Sequence, residues 1–242
     1  MTEVPESSGI TIRELESPGE MRQVTALQAE VWGPAVATPS HQLLATLQAG
    51  GHVLGALDGD RLVAFLHGFP AFFPGESPWL SSYMLATRPE YRSRGIGRQL
   101  KWRQRDWALG RGFTRITWTF DPLDARNCHL ALNLLGATAT SYVVDYYGEL
   151  DDEINRGLPS DRLVAQWELD GRRTAEAALG RLALPAGRRV AIAQDFQELR
   201  RLDPSKALAL RLRIREALEP LLGSGCSVVG YDRRTGELII QP

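Results

Sequence analysis

The chain has little of what several function classes require. Its 242 residues contain only two cysteines, Cys128 and Cys226, in dissimilar contexts and without metal-ligand spacing, which favours free thiols over a zinc site or a disulfide framework. The formal net charge is -1, so there is no general basic footprint for nucleic acid. No apolar run is long enough to span a membrane, and Met1-Thr2-Glu3-Val4-Pro5-Glu6 lacks the basic-then-apolar character of a secretory leader. These absences point to a cytoplasmic globular protein that holds no metal and binds neither nucleic acid nor membrane. Hydrophobic residues at 43% and charged residues at 24% give an ordinary balance of core and surface. The length exceeds one average domain without requiring two.

The most informative stretch is Leu85-Ala86-Thr87-Arg88-Pro89-Glu90-Tyr91-Arg92-Ser93-Arg94-Gly95-Ile96-Gly97-Arg98, which reads as a strand running through a glycine-bearing turn into a long helix. Gly95 and Gly97 let the backbone turn and approach a ligand closely. Several N–H groups then point outward at a helix N-terminus, where the dipole favours an anion, and Arg92, Arg94 and Arg98 add charge. Two better-known phosphate loops do not fit. A dinucleotide fingerprint needs a third glycine where Leu100 stands, and a P-loop needs Gly-Lys-Ser/Thr where Gly97-Arg98-Gln99 stands. The pattern R-x-x-G-x-G, here Arg92, Gly95 and Gly97, resembles the coenzyme A pyrophosphate loop of the GNAT acyltransferase superfamily; glycines at a helix start are also commonly a plain tight turn.

The elements around the loop alternate. Residues 10–15 read as a strand; Ser17-Pro18-Gly19-Glu20 then supplies an N-cap, a proline at the first helical position and a capping-box glutamate for a helix to about Val31. Thr38-Pro39 opens a second helix that stops at Gly50-Gly51, and two apolar runs about the turn Asp58-Gly59-Asp60 read as a hairpin. A strand over 79–87, the loop, a helix to about Leu109, a strand over 115–120, a helix near 125–135 and a strand over 138–146 complete the order. On the helix after the loop, Ile96, Leu100 and Trp107 share the face expected to meet a sheet, Lys101 and Arg105 a solvated face, and Trp102 and Leu109 a second apolar stripe that needs a cover. Beyond a connector at Asp151-Asp152-Glu153, the spacing predicts strands over 162–169 and 189–193, a helix over 204–222 with Leu210, Ile214, Ala217, Leu218 and Leu221 on one stripe, and a hairpin turning at 232–236.

This order is similar to the GNAT core over residues 10–150. The resemblance implies an α/β fold with a mixed central sheet of the acyl-CoA N-acyltransferase type, divided as 1–150 for the acyl-CoA-binding domain and 151–242 for a C-terminal α+β extension packed on it. It also implies acetyl-CoA or another acyl-CoA as co-substrate and a small-molecule amine as acceptor, whose nitrogen attacks the thioester carbonyl directly in a ternary complex; a homodimer is an open assembly state. The coenzyme would lie on Leu85, Ala86, Thr87, Arg92, Ser93, Arg94, Gly95, Ile96, Gly97 and Arg98. Asn127, in a segment like the family's Asn-helix-Gly stretch, would join them, or would be a plain helix cap.

Acyl transfer sets three tasks: deprotonating an ammonium, stabilising an oxyanion and protonating a thiolate. No acidic residue lies on the strand over 79–87, so Asp121 is the first candidate base, with Glu76, Asp145 and Glu149 behind it and a turn-capping role for Asp121 as the alternative. The family's usual tyrosine acid corresponds here to Leu132, which cannot donate a proton. Tyr83 is the leading substitute, with Tyr142, Tyr146, His129 or solvent as others. Cys128 has no evident base partner and reads as a buried helix cysteine. The departure at Leu132 keeps a second class of function open, a non-catalytic acyl-CoA sensor or interaction module, and a nucleotide-binding phosphate loop outside the family is a third.

Overall fold

The computed structural model describes residues 9–148 and 158–242, so the stretch at 1–6, Glu149 and the connector at 151–153 lie outside the described residues. The chain forms two compact units that divide between Ile116 and Thr117, instead of near residue 150. The strand Arg115–Phe120 straddles the division.

In the first unit, β1 (Ile10–Glu14) leads through α1 (Pro18–Trp32) and α2 (Ser40–Gln48) to β2 (His52–Asp58), β3 (Arg61–Ala71) and β4 (Trp79–Thr87), followed by α3 (Ile96–Leu109). β1 to β4 pair antiparallel in chain order. The start of α1 is fixed locally. Ser17 accepts from the Glu20 N–H, and the Glu20 carboxylate accepts from the Ser17 N–H at 2.8 Å and from Arg13 at 2.6 Å. Partial burial alone would raise the pKa of Glu20; the hydrogen bonds from Ser17, Glu16 and Arg13 outweigh it and lower it to about 2.

Both faces of this sheet are covered, which is why β2 is almost continuously apolar. Met21, Val24 and Leu27 of α1 and Leu43 of α2 pack with Val53, Phe65 and Ala86. Ile96 and Leu100 of α3 pack with Leu54, Val63 and Leu66. Neighbouring strand residues such as Phe65 and Leu66 therefore serve opposite cores, as the two-residue period requires.

The second unit continues through α4 (Ala125–Cys128), a π-helical extension (His129–Leu134) and β6 (Thr138–Val143), with Arg115–Phe120 as β5. β7 (Arg162–Glu168), α5 (Arg172–Ala178), β8 (Arg188–Ala191), α6 (Phe196–Leu202), α7 (Pro204–Gly223), β9 (Ser227–Asp232) and β10 (Glu237–Gln241) follow. Its strands lie in the order β5-β7-β6-β9-β10-β8. The segment after residue 150 therefore does not stand apart, because β7 inserts between β5 and β6 and one core joins Phe120, Leu132 and Ala139 to Leu163, Ile214, Leu218 and Val228. The helix expected near 125–135 is α-helical only to Cys128 and winds wider from His129. Asn133 in that turn clamps β9, donating to the Tyr231 carbonyl at 2.7 Å and accepting from its N–H at 3.0 Å.

Candidate active site

The loop between β4 and α3 is built to leave backbone N–H groups exposed. Gly95, at φ 78, is the N-cap of α3 and offers no side chain to the first turn, so the N–H groups of Ile96, Gly97 and Arg98 have no intrahelical partner. Ser93 also takes the left-handed region, at φ 62. The loop is held by its flanks: the Arg88 Nε donates to the Leu62 carbonyl at 2.9 Å, its guanidinium pairs with Glu30, and the Tyr91 hydroxyl donates to Asp58 at 2.6 Å. Of the three loop arginines, Arg92 donates to the Thr87 carbonyl at 3.2 Å and Arg94 to the Glu90 carbonyl at 2.9 Å, so these two brace the turn. Arg98 differs. Its Nε is buried with no hydrogen-bond partner among the described residues, in the first turn of the helix.

Leu85, Ala86 and Thr87 end β4 opposite Leu66, Phe65 and Ala64. Just upstream the register shifts: His67 faces Met84 while Gly68 faces Ser82, leaving Tyr83 as the extra residue of a β-bulge. Bulges bend a strand and re-aim its side chains, and they are common beside active sites. Tyr83 is 50% exposed there.

Behind the bulge runs a buried polar chain that the helical wheel misassigns. Lys101, expected on a solvated face, is 3% exposed; its Nζ donates to the Ser82 Oγ at 3.0 Å and the Gln104 Oε1 at 2.8 Å. Gln104 continues to the His52 Nε2 at 3.0 Å, and His52 stacks on Trp107 at 4.3 Å. Burial pushes the Lys101 pKa well below 10.5. Burial, with the His67, Lys101 and Arg111 charges, lowers His52 to about 3.

Since the unfolded chain holds the Lys101 proton up to the ordinary value, this residue's contribution to stability is full above pH 10.5 and is lost as pH falls towards the folded value. Thermal stability is therefore expected to gain up to ~1.4 kcal/mol per pH unit from this residue as pH rises from the folded value towards 10.5. Melting curves of Lys101→Met should lack that gain. A slope identical in the variant would contradict this account of Lys101.

The remaining expected residues are mostly engaged. Both Asp121 oxygens bind the Arg211 guanidinium, at 2.7 and 2.6 Å, and Oδ1 also accepts from the Leu123 N–H at 2.8 Å. That is the turn role left open by the sequence, with an ion pair added. The helix cap is Asp124, and the Asn127 amide donates to it at 3.0 Å. Glu76 pairs with Arg115, and Asp145, at φ 46, accepts from the Ser160 N–H. Tyr142 donates to Asp161 at 2.6 Å, where burial and that carboxylate push its pKa up. Tyr146 lies on the exposed surface against the Tyr147 ring, and His129 opens the π-helical turn. Leu132 is wholly buried. Cys128 is buried and free, and burial with nearby Asp124 and Asp121 pushes its thiol up, so it is an inert core residue. Among the described residues no group of acids, histidines and cysteines could hold a metal ion.

Known proteins share this architecture. A structure of yncA from Salmonella typhimurium, with its cofactor acetyl-CoA, superposes at TM-score 0.56 with 18% identity over 68% of this chain and 96% of that one. Arabidopsis thaliana Naa50 in complex with the bisubstrate analogue CoA-Ac-MVNAL gives 0.53 at 15% identity over 65% and 97%. The ribosomal-protein-S18-alanine N-acetyltransferase of Escherichia coli gives 0.52 at 15% over 67% and 95%. At such identities the likeness is one of fold. A search of curated proteins found no sequence match. The family model for Acetyltransferase (GNAT) covers residues 21–137, from α1 past α4, and includes the whole β4 to α3 loop. That segment, just under half of the chain, is similar to the GNAT acetyltransferase family.

Proposed function

We propose that the protein transfers an acetyl group from acetyl-CoA to an amine by direct attack in a ternary complex. The observation that carries the reading is the start of α3, where Gly95 leaves the first-turn N–H groups uncapped and Arg98 keeps a buried Nε without a partner. An anion with several oxygens satisfies both, and the CoA pyrophosphate is such an anion. The fold relatives support the choice, since acetyl-CoA accompanies yncA and a CoA bisubstrate analogue accompanies Naa50. In this reading Arg92, Ser93 and Arg94 shape the turn and Leu85 to Thr87 run beside the pantetheine.

The acceptor nitrogen attacks the thioester carbonyl; the N–C bond forms, the C–S bond breaks, the nitrogen loses its proton to solvent and the thiolate takes one. Tyr83, at the bulge, is the proposed donor, aided by the thiolate's reference pKa of ~8.5. We assign Asp121 to the ion pair with Arg211 in preference to a base, because both of its oxygens are engaged.

A thiol-release assay with acetyl-CoA and a panel of primary amines tests the function. Tyr83→Phe is expected to lower kcat by ~10²-fold or more while the acetyl-CoA affinity is kept. Acetyl-CoA binding without thiol release for any amine would instead favour the sensor reading that Leu132 leaves open.

A further inference from the structure

His67 is a buried histidine of the first unit whose ring nitrogens both lack a hydrogen-bond partner among the described residues, and its side chain is only 3% exposed. Buried polar groups in native proteins are rarely left in this state without a functional reason. Burial holds its pKa at about 4, so near neutral pH the ring is uncharged and one nitrogen carries an open lone pair. Its neighbours are aromatic: Tyr83 meets it edge-on at 5.8 Å, Phe69 lies at 6.0 Å, and those two rings are 5.9 Å apart. The cluster sits at the register shift of β3 and β4. Carboxylates of the same unit are occupied elsewhere: Glu30 by Arg88, Asp58 by Tyr91, Glu76 by Arg115 and Glu90 by Arg61.

We infer that His67 accepts a hydrogen bond from the amine of the acceptor, that Phe69 and Tyr83 pack on the apolar body beside it, and that the acceptor is an aryl or alkyl monoamine instead of a polycation. This rests on the acyl-transfer reading. Several ammonium groups held together require several carboxylates, and the cluster has none. One ammonium or amine beside a neutral imidazole and two ring faces is well served. The half-exposed Tyr83 ring covers the imidazole, and exposed side chains change rotamer in picoseconds to nanoseconds, so turning that ring opens the way.

The test titrates the full chain by calorimetry, in the presence of CoA, which has no acyl group to transfer, with 2-phenylethylamine and separately with spermidine. The former is expected to bind at least ~10-fold more tightly, and His67→Phe to weaken it by ~10-fold or more while the melting temperature is unchanged or higher, because an unsatisfied polar ring has been replaced by an apolar one. His67→Gln, which keeps a hydrogen-bond acceptor, should lose less and serves equally if the phenylalanine variant does not fold. Absence of 2-phenylethylamine binding, tighter binding of spermidine, or unchanged affinity in both variants would overturn the inference. Failure of the acyl-transfer reading shows separately, as a lack of thiol release from acetyl-CoA.

Discussion

Arg211→Met is expected to cost about 3–5 kcal/mol of stability. Arg211 lies on the buried stripe of α7 with Ala207, Leu210, Ile214 and Leu218, and its side chain is 2% exposed. It stays charged there because of Asp121. Burial alone would lower its pKa, and the bidentate bond and charge of Asp121 reverse that and raise it. Without the guanidinium, a carboxylate only 19% exposed is left facing the apolar stripe of α7. For a chain of this size the loss corresponds to a fall in melting temperature of about 6–20 °C. The double variant Arg211→Met with Asp121→Asn should recover at least half, since the amide is uncharged and its oxygen can keep the Leu123 N–H. Recovery would identify the stranded charge as the cause; a loss below about 1 kcal/mol in the single variant would mean that the pair does not hold this buried position.

Gly97→Val should reduce acetyl-CoA affinity by ~10²-fold or more with little change in stability, because two charge-assisted hydrogen bonds at ~1.5–3 kcal/mol each depend on open access to the first turn. The backbone permits the substitution. A Cβ at Gly97 meets only the Leu85 Cδ2, at 3.7 Å, an ordinary contact, and most residues favour a helix over glycine. The methyl groups then stand over the N–H groups that a pyrophosphate would use. Gly95→Ala is the instructive contrast: nothing lies within 4 Å of its Cβ, but φ 78 strains any side chain, so stability falls along with affinity. Normal affinity in Gly97→Val would remove the pyrophosphate from this turn.

What the sequence revealed and what it hid divide by the range of the interactions. The capping box at Ser17 and Glu20, the hairpin about Asp58 and Gly59, the glycine turn before α3 and the stripe of α7 are set by residues a few positions apart, and each appears within a residue or two of its expected place. Short α6 was missed although Asp195 and Glu198 form a readable start, with the Asp195 carboxylate accepting from the Glu198 N–H at 2.9 Å. Lys101 and Arg211 were unreadable for another reason. Each occupies a helix position that looks solvated until its partner arrives from a distant strand, Ser82 on β4 for the first and Asp121 after β5 for the second. The insertion of β7 between β5 and β6, which places the segment after residue 150 inside a shared core, likewise depends on pairing that no local pattern encodes. The candidate site shows the same division: its phosphate turn was legible, whereas the bulge at Tyr83 exists only through the register of β3 against β4.

The most direct test of the account is calorimetric titration of the full chain with acetyl-CoA, CoA, ATP and NAD under one set of conditions. The uncapped turn at Gly95, with the Arg98 Nε beside it, predicts that acetyl-CoA and CoA bind at one site per chain and that both are lost together in Gly97→Val. Binding of ATP or NAD in place of acetyl-CoA, or acetyl-CoA affinity unaffected by that variant, would contradict it.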